Sequence, residues 1–389
     1  MQDFSKLDRL LQHFSDTSLP GCTCAVMQDG KWIYSGWSGF ADREKGIPAG
    51  RETIYRQASM TKLFTYTILG MLYEEGAFLL SDPIGDYLPE WKQSCRWERT
   101  EAGEIRTVPT RPITIRDAIT MSCGLPYCMG PNADANDPTR CAMSERIAAL
   151  LQKGTPTLRD EVRVMADVPL GFAPGSRWLY GFGSEISGVL VETMTGKPLR
   201  EVFDERLIRP LGLAHTGTWI TPENRSHVAV LYTKDAAGRL VPAGPEADRV
   251  MDPACTPVGA RPHLLTTSED YAQFMYMLAN GGEYRGKRLI GHKTIDLLRT
   301  NQLTARQLED FTNTYLAGYG YGLGFRTLLD RAPGGHNGSL GAFGWTGGAG
   351  TWAEADPAEH LGAVYMHNML PNEEVYHHLR VRAAIYGAL

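Results

Sequence analysis

Ser59 and Lys62 stand three residues apart in the stretch Arg56-Gln57-Ala58-Ser59-Met60-Thr61-Lys62-Leu63-Phe64, at the start of an apolar run. On a helix, positions i and i+3 share a face, so the Lys62 amine can reach the Ser59 hydroxyl and, when desolvated, accept its proton. The pair then forms a nucleophile with its own base. The spacing alone fits an ordinary helix start better, so the chemical reading needs support from other stretches. The residues that follow, Leu63, Phe64, Tyr66, Ile68, Leu69, Met71 and Leu72, are apolar on nearly every side. Such a helix is expected inside the protein, where packing would hold the serine rigidly.

Other chemistries find less to work with. The chain has 389 residues, 43% of them hydrophobic and 21% charged, with 8 Trp, 17 Tyr and 12 Phe, the composition of a folded protein with a large core. Its formal net charge is -5, and its Lys and Arg are scattered without a basic run, which argues against nucleic acid and against an anionic membrane surface. The first residues alternate charge and apolarity with no continuous apolar stretch, so neither a secretory signal nor a membrane span is expected there, and a cytoplasmic location is. Seven cysteines, at 22, 24, 95, 123, 128, 141 and 255, lack a zinc-site spacing and read as free thiols. Cys22 and Cys24 alternate as on a strand and are expected on one side of a sheet. The stretch from Glu373 to His378 holds adjacent histidines but no His-Glu-Xaa-Xaa-His, so no metal site is expected. The glycine-rich segments 318–324 and 334–350 lack the spacing and following helix of a phosphate cradle. Gly-Xaa-Ser-Xaa-Gly is absent, which removes the α/β-hydrolase nucleophile. No cofactor is called for.

The elements that would position Ser59 come from both ends of the chain. Phe4, Leu7, Leu10, Leu11 and Phe14 give residues 3–17 one apolar helical face, and runs at 22–28 and 31–39 flank Asp29-Gly30 as a hairpin. From about 90 to 250 the texture turns to Pro-, Gly- and Asp-rich loops broken by helical patterns at 114–121, 144–153, 184–195 and 199–208. A helix is expected over 268–280, capped by Ser268, then strands at 319–328, 342–346, 350–355 and 361–367 and a closing helix over 373–386. The resulting expectation is an α/β domain from residues 1–89 and 251–389 with an inserted, mostly helical domain at 90–250, and a site in the cleft between them.

Three further stretches support the chemical reading of Ser59. Ile113 to Pro126 reads as a helix followed by Ser122-Cys123-Gly124-Leu125-Pro126; Pro174-Gly175-Ser176-Arg177-Trp178-Leu179-Tyr180-Gly181-Phe182 precedes Gly196-Lys197-Pro198-Leu199 and Arg209 to Leu213; and Phe343-Gly344-Trp345-Thr346-Gly347-Gly348 opens a late strand. In this order they resemble the serine β-lactamase-like hydrolases, with the Ser-Gly-Leu-Pro turn, the catalytic-tyrosine stretch and the strand that carries Lys-Thr-Gly in class C β-lactamases. The resemblance runs from about residue 20 to the C-terminus and is closest to the family VIII carboxylesterases. It implies a fold with an antiparallel sheet flanked by helices, a helical domain beside it, and metal-free acyl-enzyme chemistry. By this resemblance Ser59 attacks an ester carbonyl, Lys62 and Tyr180 share the proton traffic, the backbone N–H groups of Ser59 and Gly348 form the oxyanion hole, and Phe182, Trp345, Thr346 and Gly347 contact the substrate.

The departures from that pattern are informative. Phe182 replaces the asparagine, and Trp345 the lysine, that class C β-lactamases present to the substrate amide and carboxylate. A buried amide or anion left without a partner costs on the order of a few kcal/mol, which favours a small ester over a penicillin-like lactam. Alternative readings are a β-lactamase or D-amino-acid peptidase, an acyltransferase, and a binding protein of the penicillin-recognition kind that has lost turnover. The expected partner is a small-molecule ester or amide; the oligomeric state is left open.

Overall fold

The computed structural model describes residues 2–127, 137–314 and 317–389; the expectation for Cys128 lies outside them. Eight antiparallel strands form the central sheet. They are β1 (Gly21–Gln28), β2 (Lys31–Asp42), β3 (Ile47–Pro48), β4 (Tyr319–Tyr321), β5 (Arg326–Leu328), β6 (Phe343–Gly347), β7 (Thr351–Asp356) and β8 (Leu361–Met366), in the spatial order β4-β5-β6-β7-β8-β1-β2-β3. The two chain ends meet where β1 lies beside β8, Thr23 opposite Met366. Asp29 and Gly30 both take positive φ, 49° and 74°, as a two-residue hairpin between twisted strands requires.

Each face of the sheet is covered. Helix α1 (Ser5–Thr17) buries Leu7, Leu11 and Phe14 against Cys22, Cys24, Val26, Trp352 and Tyr365, and the closing helix α8 (Glu374–Tyr386) adds Val381 and Ile385 to the same cluster. On the other face lie α2 (Thr61–Glu74), buried along nearly its whole length, and α7 (Ser268–Ala279). A helix apolar all round must be enclosed, and α2 is the core helix that the composition of its run demands.

Between α2 and α7 come α3 (Ile115–Ile119), α4 (Pro138–Leu151), α5 (Leu158–Met165) and α6 (Gly183–Thr195). Helices α3 and α5 begin in capping boxes, Thr114 with Asp117 and Thr157 with Asp160. Helix α4 starts earlier than its apolar pattern suggests, because the Asp137 carboxylate caps Thr139 and Arg140 and Pro138 sits at the first helical position.

Three local expectations are corrected. Residues 319–328 form two strands, β4 and β5, not one, since Gly322-Leu323-Gly324 turns the chain back with Gly324 at φ 88°. Helix α7 is capped by Thr267, whose hydroxyl accepts from the Asp270 N–H, rather than by Ser268. Finally, the loop-like stretch after 90 contains a hairpin, Cys95–Arg99 with Ile105–Pro109. Cys22, Cys24, Cys95, Cys123 and Cys255 are free thiols. No helix among the described residues is long and apolar enough to cross a membrane.

Candidate active site

Ser59 sits in a single turn, Ala58–Met60, that leads into α2. Ala58 takes φ 45°, a left-handed conformation that costs a residue with a Cβ on the order of 1 kcal/mol and persists only where the surroundings hold it. They do so from several sides. Tyr55–Arg56 pairs with Leu265–Thr266, the Gln57 N–H donates to Leu264 O at 2.9 Å, and the Tyr271 hydroxyl donates to Met60 O at 2.8 Å. The turn therefore presents Ser59 at the positive end of a buried helix.

Lys62, one helical turn on, donates from Nζ to Ser59 Oγ at 3.1 Å. Its ammonium lies 5.3 Å from the centre of the Tyr180 ring and 5.5 Å from that of Tyr127. Burial alone would lower the Lys62 pKa, but Tyr127, Tyr180 and Glu185 outweigh it and hold the group above the ordinary lysine value. In the resting site Lys62 is an ammonium, which differs from the simple picture of a desolvated neutral amine.

Tyr180 is held by the Ser122-to-Pro126 turn. The Leu179 N–H donates to Met121 O at 2.9 Å and the Phe182 N–H to Leu125 O at 3.0 Å, so the tyrosine is gripped on both flanks. The backbones approach closely enough that a Cβ on Gly181 would lie 2.0 Å from Leu125 O, and no residue but glycine fits there. The Tyr180 ring stacks between Trp178, at 6.4 Å, and Trp345, at 5.6 Å.

The strand side reaches Ser59 through β6. A Cβ on Gly347 would meet Thr351 Oγ1 at 2.1 Å and Gln57 O at 2.4 Å, so the strand end presses directly on the segment that leads into Ser59. Thr346 and Gly347 are buried at that junction, while Gly348 is exposed. Trp345 is 1% exposed, and the structure places it behind Tyr180 rather than along the cleft wall. Phe182, 4% exposed, packs 5.0 Å from Tyr127.

A cavity of about 300 Å³ opens on Ser59, Lys62, Tyr127, Glu185, Arg261 and His263, among others. Glu185, Arg261 and His263 did not stand out in the sequence. Glu185 accepts from the Tyr127 hydroxyl at 3.1 Å and from the Ser184 hydroxyl at 2.7 Å, and its Oε1 lies 3.0 Å from Arg261 Nη1. Burial would raise its pKa, but Arg261 and Lys62 together with the Ser184 hydrogen bond bring it below the usual carboxylate range. Arg261 also pairs with Glu161 of α5. His263 is pushed down to about 3 by burial and by the Arg261, Arg200 and Lys62 charges, so its imidazole is neutral. One available signal for Glu185 was its position: a carboxylate five residues after Tyr180, in the first turn of a helix buried from Gly183 to Val191.

Beneath the β6–β7 turn lies a second group of histidines. His367 meets His377 and His378 at ring separations of 5.0 and 6.3 Å. His378 Nε2 lies 3.3 Å from Gly350 O, and His367 Nε2 lies 3.1 Å from Asn372 O. Burial lowers all three, His378 to about 3. Among the described residues no three His, Cys, Asp or Glu side chains converge as metal ligands.

The chain is similar to known proteins over nearly its whole length. The beta-lactamase family profile matches residues 7–387. Protein Rv1367c of Mycobacterium tuberculosis is 31% identical over 375 residues, covering 92% of this chain and 88% of that protein. Esterase EstB of Burkholderia gladioli is 31% identical over 219 residues, covering 55% of this chain and 51% of the esterase. Among solved structures, EstCE1, described as a hydrolase with promiscuous acyltransferase activity, superposes with a TM-score of 0.80 at 24% identity, over 99% of this chain and 98% of its own. With the fold, the ordered stretches and a match across nearly its whole length in agreement, this chain belongs to the beta-lactamase family.

Proposed function

We propose that this protein is a serine hydrolase that cleaves small carboxylic esters through an acyl-enzyme on Ser59. The observation that carries the reading is the contact of Lys62 Nζ with Ser59 Oγ at 3.1 Å, with the Tyr180 ring 5.3 Å from the same ammonium. In the division proposed from the sequence, residues 90–250 supply Tyr127, Tyr180 and Glu185, and the remainder supplies Ser59, Lys62 and Gly348.

Ser59 Oγ attacks the ester carbonyl carbon as its proton passes to Tyr180, which acts as a phenolate base, and the adjacent Lys62 ammonium stabilises the negative charge shared between the two oxygens. The tetrahedral oxyanion is held by the N–H groups of Ser59 and Gly348. The C–O bond to the alcohol then breaks, and the alcohol leaves with the proton from Tyr180. Water enters, gives its proton to Tyr180, and attacks the acyl carbon; the acid departs as Ser59 recovers its proton. A second reading, transfer of the acyl group to an alcohol, uses the same intermediate with a different acceptor.

Support for esters over lactams comes from the charges that the site lacks. Trp345 stands at the strand position of the lactamase lysine, and Arg261 is already engaged by Glu185 and Glu161. A lactam carboxylate would be desolvated without a cation reserved for it. The expected kcat/KM for p-nitrophenyl butyrate exceeds that for nitrocefin by more than about tenfold, and a nitrocefin value equal or higher would overturn the ester reading. The nucleophile is tested with an alkyl phosphonate and peptide mass spectrometry: the added mass belongs on the peptide containing Ser59, and its appearance elsewhere would reject the assignment. Added alcohols in the same assay separate hydrolysis from transfer.

A further inference from the structure

A second cavity, of about 320 Å³, adjoins the first and shares Tyr127, Arg261 and His263 with it. Beyond that shared partition its character changes. Ile147 and Leu151 of α4, Phe182, Val250 and Ala260 form much of its lining. Leu151 and Val250 are among the exposed large apolar residues of the surface, at 52% and 42%. A single exposed leucine is ordinary, but two that lie on one cavity above buried Phe182 and Ala260 make a continuous apolar path from solvent to the partition.

The partition is polar and fixed. Arg261 is braced by Glu185 and Glu161, and its guanidinium lies 5.6 Å from the centre of the Phe182 ring. Neutral His263 completes it. On the far side of this charge-balanced wall from Ser59, the lining is mainly apolar, with Thr155, Thr256 and the Arg261-paired Glu161 among it.

We propose that this second cavity binds the apolar chain of the ester, so that the preferred substrates carry a medium-length alkyl chain extending from the carbonyl at Ser59 past Tyr127 and Arg261. This rests on the ester-hydrolase reading of Ser59. The volume lies at the lower end of ligand-site sizes, which suits an unbranched chain rather than a polycyclic group. An alkyl chain needs no hydrogen bond from the lining, whereas a charged group in the chamber would have to be desolvated. The same chain chemistry can come from either side of the ester, as an acyl or an alcohol chain.

The test uses two substrate series on the full-length protein: p-nitrophenyl acetate against p-nitrophenyl octanoate for the acyl side, and ethyl acetate against octyl acetate for the alcohol side. One series is expected to gain at least roughly tenfold in kcat/KM with chain length, and which series gains identifies the chain that the cavity holds. In that series Ala260→Leu, which fills the chamber, and Leu151→Glu, which places a charge at its exposed rim, are each expected to lower the long-to-short ratio by about tenfold. Because Leu151 is on the surface, its variant reports on the chamber even if the Ala260 variant fails to fold. No gain in either series, or a gain whose ratio survives Leu151→Glu, would overturn the proposal. Failure of the ester reading itself is a separate result, since it would appear as acetate turnover that persists in Ser59→Ala.

Discussion

On the strand side of Ser59, the turn after β6 rests on three imidazoles that burial keeps neutral, and Gly347 presses on the Gln57 carbonyl in the segment that leads into the serine. On the helical side, Lys62, Glu185, Arg261 and Glu161 crowd one wall, each charge facing an opposite one. Both walls are buried, and burial acts on them in opposite ways. Where histidines meet one another, hydroxyls and backbone carbonyls, desolvation wins and the charge is lost; at Lys62, Glu185 and Arg261 the attraction of opposite charges outweighs it and the charge stays. The strand wall can therefore offer a fixed field from N–H dipoles, while the helical wall can set where protons reside.

That division can be broken most severely at the residue both walls serve. Ser59→Ala is expected to lower ester hydrolysis by at least roughly a thousandfold with the fold intact, measured as kcat/KM alongside circular dichroism. Activity within tenfold of the parent would mean that neither wall addresses this serine.

The helical wall is probed next. Lys62→Ala and Tyr180→Phe are each expected to cost roughly a hundredfold or more, and the double variant little more than either alone, because both act on one proton. Clean additivity in the double-mutant cycle would show two separate roles.

A smaller effect sharpens the contrast between the walls. Glu185 helps keep Lys62 protonated, so removing its charge lowers the Lys62 pKa. Glu185→Gln is expected to reduce kcat/KM by about tenfold and to move the alkaline limb of its pH profile to lower pH. His378→Asn, on the strand side, leaves that limb in place. A Glu185→Gln profile that scales down without moving would make the carboxylate a purely structural partner.

The strand wall shows itself instead in stability. His367, His377 and His378 are neutral in the fold, with pKa values below the unfolded value of about 6.5, so on unfolding below that pH each takes up a proton. Their contribution is fully present above about pH 6.5 and is lost as pH falls below it, for His378, lowered to about 3, by about 1.4 kcal/mol per pH unit. Urea unfolding of His378→Asn between pH 6 and 5 should show a slope shallower by about one proton; an unchanged slope would mean that His378 is already charged in the fold.

The reacting groups were far easier to read in the sequence than the charges that surround them. Ser59, Lys62 and Tyr180 lie in ordered stretches, and the strands of β6 to β8 declare themselves by composition. Glu185, Arg261 and His263 acquire their meaning only from pairings across α5, α6 and the segment before α7, which no local spacing encodes. Trp345 shows the complementary limit: its place in the stretch was legible, but the direction of its ring, behind Tyr180, depends on a stack of aromatics drawn from distant segments. The doubling back at Gly322 to Gly324 was hidden because aromatic and apolar residues alternate with glycines from Tyr319 to Phe325, as on a single strand.

The pairing of β1 with β8 bears on how the chain is made. Thr23 and Met366 are neighbours in the sheet although more than three hundred residues separate them. At roughly 5–20 residues per second, the N-terminal hairpin leaves the ribosome some tens of seconds before the strand that will lie against it exists. During that interval α1 can already cover the face of β1 that carries Cys22, Cys24 and Val26, while the strand's pairing edge stays open until β8 arrives.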